Sequence, residues 1–265
     1  MQFLLIWALL FFSIRFVTIG LTLAAHKFFN RHKWKARKIN IADTPWEEEL
    51  KKVKSGLLIG SVFRTGLLAA LFSLPQEWVP FYYSIGEHGW LYFFATILAY
   101  TVYFDLWFYI SHRFIFHQPS MYKKSHLTHH RFKDPMIPVR NAFSSSEILI
   151  TAFGGYALVL VMPFHPAALL IGRELIVQLI NIYNHLGYEI MPRGFTKHFL
   201  FRYFTTPTHH TLHHMYNNCN YSLLLNYDVV FGTQFKKYDQ TFEAIHSRIE
   251  FAEDELKNEE HKQVS

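Results

Sequence analysis

Cysteine is almost missing from this chain. A single residue, Cys219, among 265 excludes an internal disulfide and leaves no thiolate framework for a zinc or iron-sulfur site. No glutamate stands inside the clustered histidine motifs, so the H-E-x-x-H arrangement of zinc hydrolases, with its general base, does not occur. No basic residue precedes the first apolar run and Arg15 interrupts it, so that run reads as a retained helix rather than a cleaved signal. Nucleic-acid motifs, low-complexity linkers and repeats beyond two short histidine boxes do not occur either. The formal net charge of +6 sits beside apolar blocks, which suits anionic lipid headgroups better than nucleic acid.

What is abundant is apolar and aromatic residues, 51% and 18% of the chain. They fall in blocks of near-spanning length at residues 3–25, 56–74, 90–110, 148–164 and 167–183. The basic cluster Lys27, Arg31, Lys33, Lys35, Arg37 and Lys38 should stay in the cytoplasm by the positive-inside tendency. The second block then leads outward to a turn whose Trp78, Phe81, Tyr82, Tyr83 and Trp90 suit the interfacial belt, and the third block returns. A hairpin over 148–183, turning at Pro163 and Pro166, brings residues 185–214 to the same side. The expected architecture is an all-α membrane bundle of about four transmembrane helices with a cytoplasmic helical cap. One domain is expected over residues 1–240, with its histidine-rich core at about 100–233 and a polar C-terminal tail at 241–265.

Three histidine groupings stand out: His112 and His117 in SHRFIFH, His126, His129 and His130 in SHLTHH, and His209, His210, His213 and His214 in THHTLHH. On a helix, positions i, i+3 and i+4 share a face, so each H-x-x-H-H box can present a triad. His112 and His117 are five apart and differ by roughly 140° on a regular helix. A helix end, a π-bulge or division between two metals would reconcile them. With His185, nine imidazoles are too many for one ion, and two ions with about four or five ligands each would use them. Crowded imidazoles repel when protonated, and coordination stabilises their neutral form. Nitrogen-only sites suit iron, copper or zinc.

In this order between apolar blocks, HRFIFH, HLTHH and HHTLHH resemble the fatty acid hydroxylase/sterol desaturase superfamily of membrane di-iron oxygenases. The resemblance runs from about residue 100 to 233 and includes Asp105, Tyr109, His112 and Arg113 in DLWFYISHR. It continues through His185 and Gly187 in NHLGYE, and Asp228, Phe231, Gly232 and Thr233 in DVVFGT. It implies that His112, His117, His126, His129, His130, His185, His210, His213 and His214 hold two irons, with zinc a substitute in purified protein. It also implies O2-dependent hydroxylation or desaturation of a sterol or fatty-acyl lipid. Electrons would come from cytochrome b5 or a ferredoxin with an NAD(P)H reductase. The location implied is the endoplasmic reticulum membrane in a eukaryote, or the inner membrane in a bacterium. Fatty acid 2-hydroxylases carry a further histidine four residues before the one matching His185, where this chain has Asn181, and an aromatic position before the last motif's aspartate is Tyr227 here.

His209 and Asn181 are carried as additional metal or supporting positions. Asp105, two helical turns before His112, is placed either to accept from a ligand imidazole or to sit at the interface paired with Arg113 or solvent, and Asp228 is given either a supporting role of the first kind or a turn role. Arg173 and Glu174, ionisable within an apolar block, either line a substrate pocket with Tyr109 or form a structural pair. Arg15 and Arg64 are expected to snorkel or bond helix carbonyls. His26, His32, His88, His165, His198, His246 and His261 read as ordinary surface or interface residues. A histidine-rich metal transporter is the competing class, weakened because the boxes follow the apolar blocks instead of lying within them.

Overall fold

The computed structural model describes residues 2–40, Glu48, Lys51 and 62–264. Among these residues every regular element is helical, and extended pairing is limited to three isolated bridges. The main helices are α1 (Gln2–Phe29), α2 (Val62–Phe72), α3 (Gly89–Ser111), α4 (Ser145–Gly155) and α5 (Pro166–Asn184). They are followed by α6 (Pro207–Tyr216), α7 (Tyr227–Phe231) and α8 (Tyr238–Val264).

Among the described residues, Leu9–Phe29, Gly89–Phe116 and Pro166–Asn184 are long and apolar enough to cross a membrane. The sequence pointed to about four spans. Part of its second block, residues 56–61, lies outside the described residues. The 148–164 block is shorter than a span, because α4 stops at Gly155 and passes into a 3₁₀ turn at Ala157–Leu160. α1 has Phe12, Phe16, Ile19 and Leu23 exposed and only Phe11 and the threonines Thr18 and Thr22 buried among its described side chains, the distribution of a helix wetted by lipid. α5 is the central helix, and the main core joins Leu169, Leu170 and Val177 to Tyr100 and Phe104 of α3, Leu68 and Leu71 of α2 and Ala152 of α4.

α3 and α4 approach closely because residue 154 is glycine. A Cβ there would lie 2.1 Å from the Trp107 ring. The histidine-bearing segments follow the C-terminal ends of α3 and α5, so these two ends lie at the same end of the bundle. The division expected at residue 240 falls inside α8. That helix buries Tyr238, Phe242, Ile245 and Ile249 on one stripe, and Arg248 hydrogen-bonds the carbonyls of Ala36 and Lys38. Through at least Ile249, the expected polar tail is therefore part of a docked helix with a buried apolar stripe.

Candidate metal centre

α3 does not end at Ser111 but widens into a π turn over His112–Phe116, closed by the His117 amide on the His112 carbonyl at 3.1 Å. An i to i+5 turn brings residues five apart onto one face, which removes the 140° mismatch of a regular helix. A second π turn, Tyr122–His126, leads into the single turn Leu127–His130. α6 begins on Pro207 with Thr206 as its N-cap, and the Glu189 carboxylate accepts from both the amide and the hydroxyl of Thr208 at 3.1 and 2.6 Å.

These elements gather all nine histidines into two adjoining groups. His112, His117, His126, His130 and His213 form one, and His129, His185, His210 and His214 the other, with one ring nitrogen of each residue within 4.8 Å of the rest of its group. The boxes do not act as intact triads. Each sends its i and i+4 rings to one group and its i+3 ring to the other: His126 and His130 lie apart from His129, and His210 and His214 apart from His213. Neighbouring residues project about 100° apart on a helix, so each His-His pair straddles the boundary between the groups. The ring centroids of His130 and His214 are only 4.8 Å apart across it.

The hydrogen bonds fix how the rings face. Nδ1 of His112 donates to the Tyr221 carbonyl at 2.7 Å, Nδ1 of His213 to the Cys219 carbonyl at 2.7 Å, and Nδ1 of His185 to the Asn181 carbonyl at 2.9 Å. Nδ1 of His126 lies 2.8 Å from the Glu147 carboxylate. A carbonyl only accepts, so Nδ1 carries the proton, and in the neutral ring Nε2 of His112, His185 and His213 is a bare lone pair. Nε2 of His112 meets Nε2 of His126 at 2.9 Å, and Nε2 of His210 meets those of His185 and His214 at 3.2 and 3.1 Å. Further buried ring nitrogens, including both of His130 and Nε2 of His117 and His213, have no hydrogen-bond partner. Converging lone pairs backed by carbonyl and carboxylate acceptors are what a cation held by imidazoles requires, and the donor set fits two such ions.

The electrostatics agree. Burial, reinforced by the neighbouring rings, holds His117, His126, His129, His210, His213 and His214 far below the usual histidine range. Burial brings His130 and His185 down to about 3. The rings are neutral at ordinary pH, the state in which a lone pair can be donated to a metal.

The other sequence candidates fall outside the two groups. His209 faces Asp228 at 3.4 Å. Asp228 accepts from the amides of Tyr221 and Ser222 and the hydroxyls of Ser222 and Thr233, fixing the loop whose carbonyls orient His112 and His213. Burial pushes its carboxyl up, but His209 and these hydroxyls outweigh it and hold it below the carboxylate range. Asp105 accepts from the Leu224 and Leu225 amides rather than from an imidazole. The Asn181 side chain donates to Asn141, and only its carbonyl meets His185. Tyr109 packs on Phe231 and accepts from Arg113, away from the cavity. Glu174 pairs with Arg15 at 3.5 Å, so Arg15 has a carboxylate partner instead of snorkelling. Among the described residues, no other histidine joins either group.

A partly open cavity reaches His126 of the first group and His129, His185 and His210 of the second. Phe104, Phe108, Phe143, Ile148 and Val177 give it apolar walls, and Arg64 and Arg173 also line it. Glu147, the acidic partner of His126, escaped the sequence reading. It follows SSS at the start of an apolar helix, where its amide bonds the Ser144 hydroxyl, so it passes for an ordinary helix-start residue. A carboxylate beside an apolar block was the available signal.

The family model described as fatty acid hydroxylase matches residues 97–233, just over half of the chain. The chain is 34% identical over 140 residues to the Delta(7)-sterol 5(6)-desaturase ERG3B of Gibberella zeae, a match covering 53% of this chain and 41% of that protein. It is 27% identical over 142 residues to the lathosterol oxidase of Mus musculus, covering 53% and 45%. It is 26% identical over 156 residues to the very-long-chain aldehyde decarbonylase GL1-4 of Oryza sativa subsp. indica, covering 57% and 25%. The chain thus spans about half, or less, of the length of the curated relatives it matches. No solved structure matches it.

Proposed function

From the premise that this chain belongs to the fatty acid hydroxylase family, we propose that it is a membrane-bound, O2-dependent oxidoreductase acting on a lipid C–H bond. The observation that carries this reading is the pair of adjoining histidine groups opening on one apolar-walled cavity. Two irons, held by His112, His117, His126, His130 and His213 and by His129, His185, His210 and His214, would supply dioxygen activation and hydrogen abstraction from the substrate. The protein's own part is positional. Tyr221, Cys219, Asn181 and Glu147 lock ring orientation, and Phe104, Phe108 and Phe143 exclude water and hold a chain beside His129, His185 and His210.

Hydroxylation and desaturation differ in how long the substrate carbon is held for a second hydrogen loss, so cavity fit decides between them. Relatives named as sterol desaturases and a lathosterol oxidase support oxidation of a sterol or acyl lipid. The reading includes a cytoplasm-facing site, supported by the basic residues 27–38 after α1, and an external one-electron donor such as cytochrome b5 or a ferredoxin. Lipid extracts of cells with and without the protein test it by mass spectrometry. A lipid gaining one oxygen or losing two hydrogens is expected, and identical lipid profiles under aerobic expression with donor present would refute it.

A further inference from the structure

The cavity that opens on the histidines is charged where it meets α2 and the middle of α5. Arg64 of α2 and Arg173 of α5 both line it, 5% and 6% exposed. One terminal nitrogen of each guanidinium, Nη1, has no hydrogen-bond partner. Arg173 lies 4.6 Å over the Phe104 ring, a contact that favours a cation without offering it an acceptor. The neighbouring carboxylate, Glu174, is buried and pairs with Arg15 at 3.5 Å. Glu147, the cavity's other acid, is engaged by His126 at the histidine end. Arg15, Arg64 and Arg173 therefore outnumber the carboxylates near them, Glu174 and Glu147, the second of which also feels Arg64, and the buried hydroxyls of Tyr100 and Tyr156 lack partners. A guanidinium does not shed its proton to escape burial, so this excess of cation in an apolar bundle is costly unless a further anion completes it.

We propose that this end of the cavity binds the oxyanion head of the lipid substrate, a carboxylate or a phosphate, with the chain running toward His129, His185 and His210. Planar guanidinium forks suit both oxyanions, whereas the neutral hydroxyl of a sterol brings no charge to match. Arg173 and His185 are twelve residues apart on or immediately after α5, several helical turns that include a π turn at Ile171–Ile176, so the head site and His185 meet the cavity from different turns of one helix. Arg64 and Arg173 then set the position of attack by counting from the head. The reaction at that carbon rests on the oxygenase reading, but occupancy of the cavity does not.

Displacement of a fluorescent fatty acid from the purified full-length protein in nanodiscs measures binding without turnover. Competitors are palmitate, palmityl phosphate, methyl palmitate, palmityl alcohol and a sterol. At least one anionic amphiphile is expected to compete about tenfold or more better than the ester, alcohol and sterol, and whichever anion wins identifies carboxylate or phosphate as the head. Arg64→Gln and Arg173→Gln should each remove most of that preference while the methyl ester competes as before. Equal competition by ester, alcohol or sterol in the unsubstituted protein would overturn the proposal, whatever the variants do. Anion preference without any lipid oxidation would refute the oxygenase reading and leave this site standing.

Discussion

The two histidine groups are built from the same ring chemistry but are finished differently. In the five-ring group, His112, His126 and His213 have Nδ1 tied to Tyr221, Glu147 and Cys219, and only His126 touches the cavity. In the four-ring group only His185 is tied in this way, to Asn181, while His129, His185 and His210 all line the cavity. One group is braced and meets the cavity through a single ring, and the other is less anchored and presents three rings to the space a substrate would fill. An ion with fewer protein ligands would keep coordination positions open for chemistry, so on the proposed reading the four-ring group would be the reactive side and the five-ring group its support.

This comparison is sharpest under substitution. The largest effect is expected for His214→Ala, which leaves the cavity-facing group three rings: lipid oxidation should fall below detection while the protein still reaches the membrane. His117→Ala leaves its group four rings and should retain measurable turnover, so equal loss in both variants, assayed by product mass spectrometry, would erase the distinction. Glu147→Gln keeps the shape but removes the charge behind His126. Metal affinity of the five-ring group should drop about 10–100-fold, read by competition with a chelator.

A smaller effect follows from protonation of the metal-free protein. His130 and His185 sit at about 3 when folded against an ordinary 6.5, so between these values the unfolded chain binds more protons than the folded one. Stability therefore falls as pH drops from about 6.5 toward 3, by up to about 1.4 kcal/mol per ring per pH unit, and bound metal should flatten the slope. Thermal unfolding of chelated and metal-loaded samples across this range measures it, and a pH-independent metal-free protein would contradict the buried neutral rings. The last is Gly154→Ala, remote from both groups. Displacing the Trp107 ring should cost about 1–3 kcal/mol of stability and leave metal content unchanged.

The sequence carried a good deal of this. Spacing nominated eight of the nine rings that meet, and His185 entered only through its NHLGYE surroundings; counting ligands suggested two ions, because imidazoles are rare enough for repetition to be informative. The π turn that reconciles His112 with His117 was one of three options the spacing left open, since i to i+5 closure depends on what packs beyond the helix end. The exchange of His129 and His213 between groups was not legible. Treating i, i+3 and i+4 as one face ignores the angle between adjacent residues, and only the second box's position in space divides them. Asp105 shows the same limit: its spacing from His112 gave a face, but its partners, the Leu224 and Leu225 amides, lie far along the chain. α8 was read by composition as a tail, although its apolar stripe at Phe242, Ile245 and Ile249 marks a docked helix.

The most direct test of the whole account is the metal content of protein purified from membranes without chelators, by elemental mass spectrometry against quantified polypeptide. Two transition-metal ions per chain are expected, falling toward one when His117, His126 and His130 are replaced together. An active sample holding less than one ion per chain would contradict the central claim.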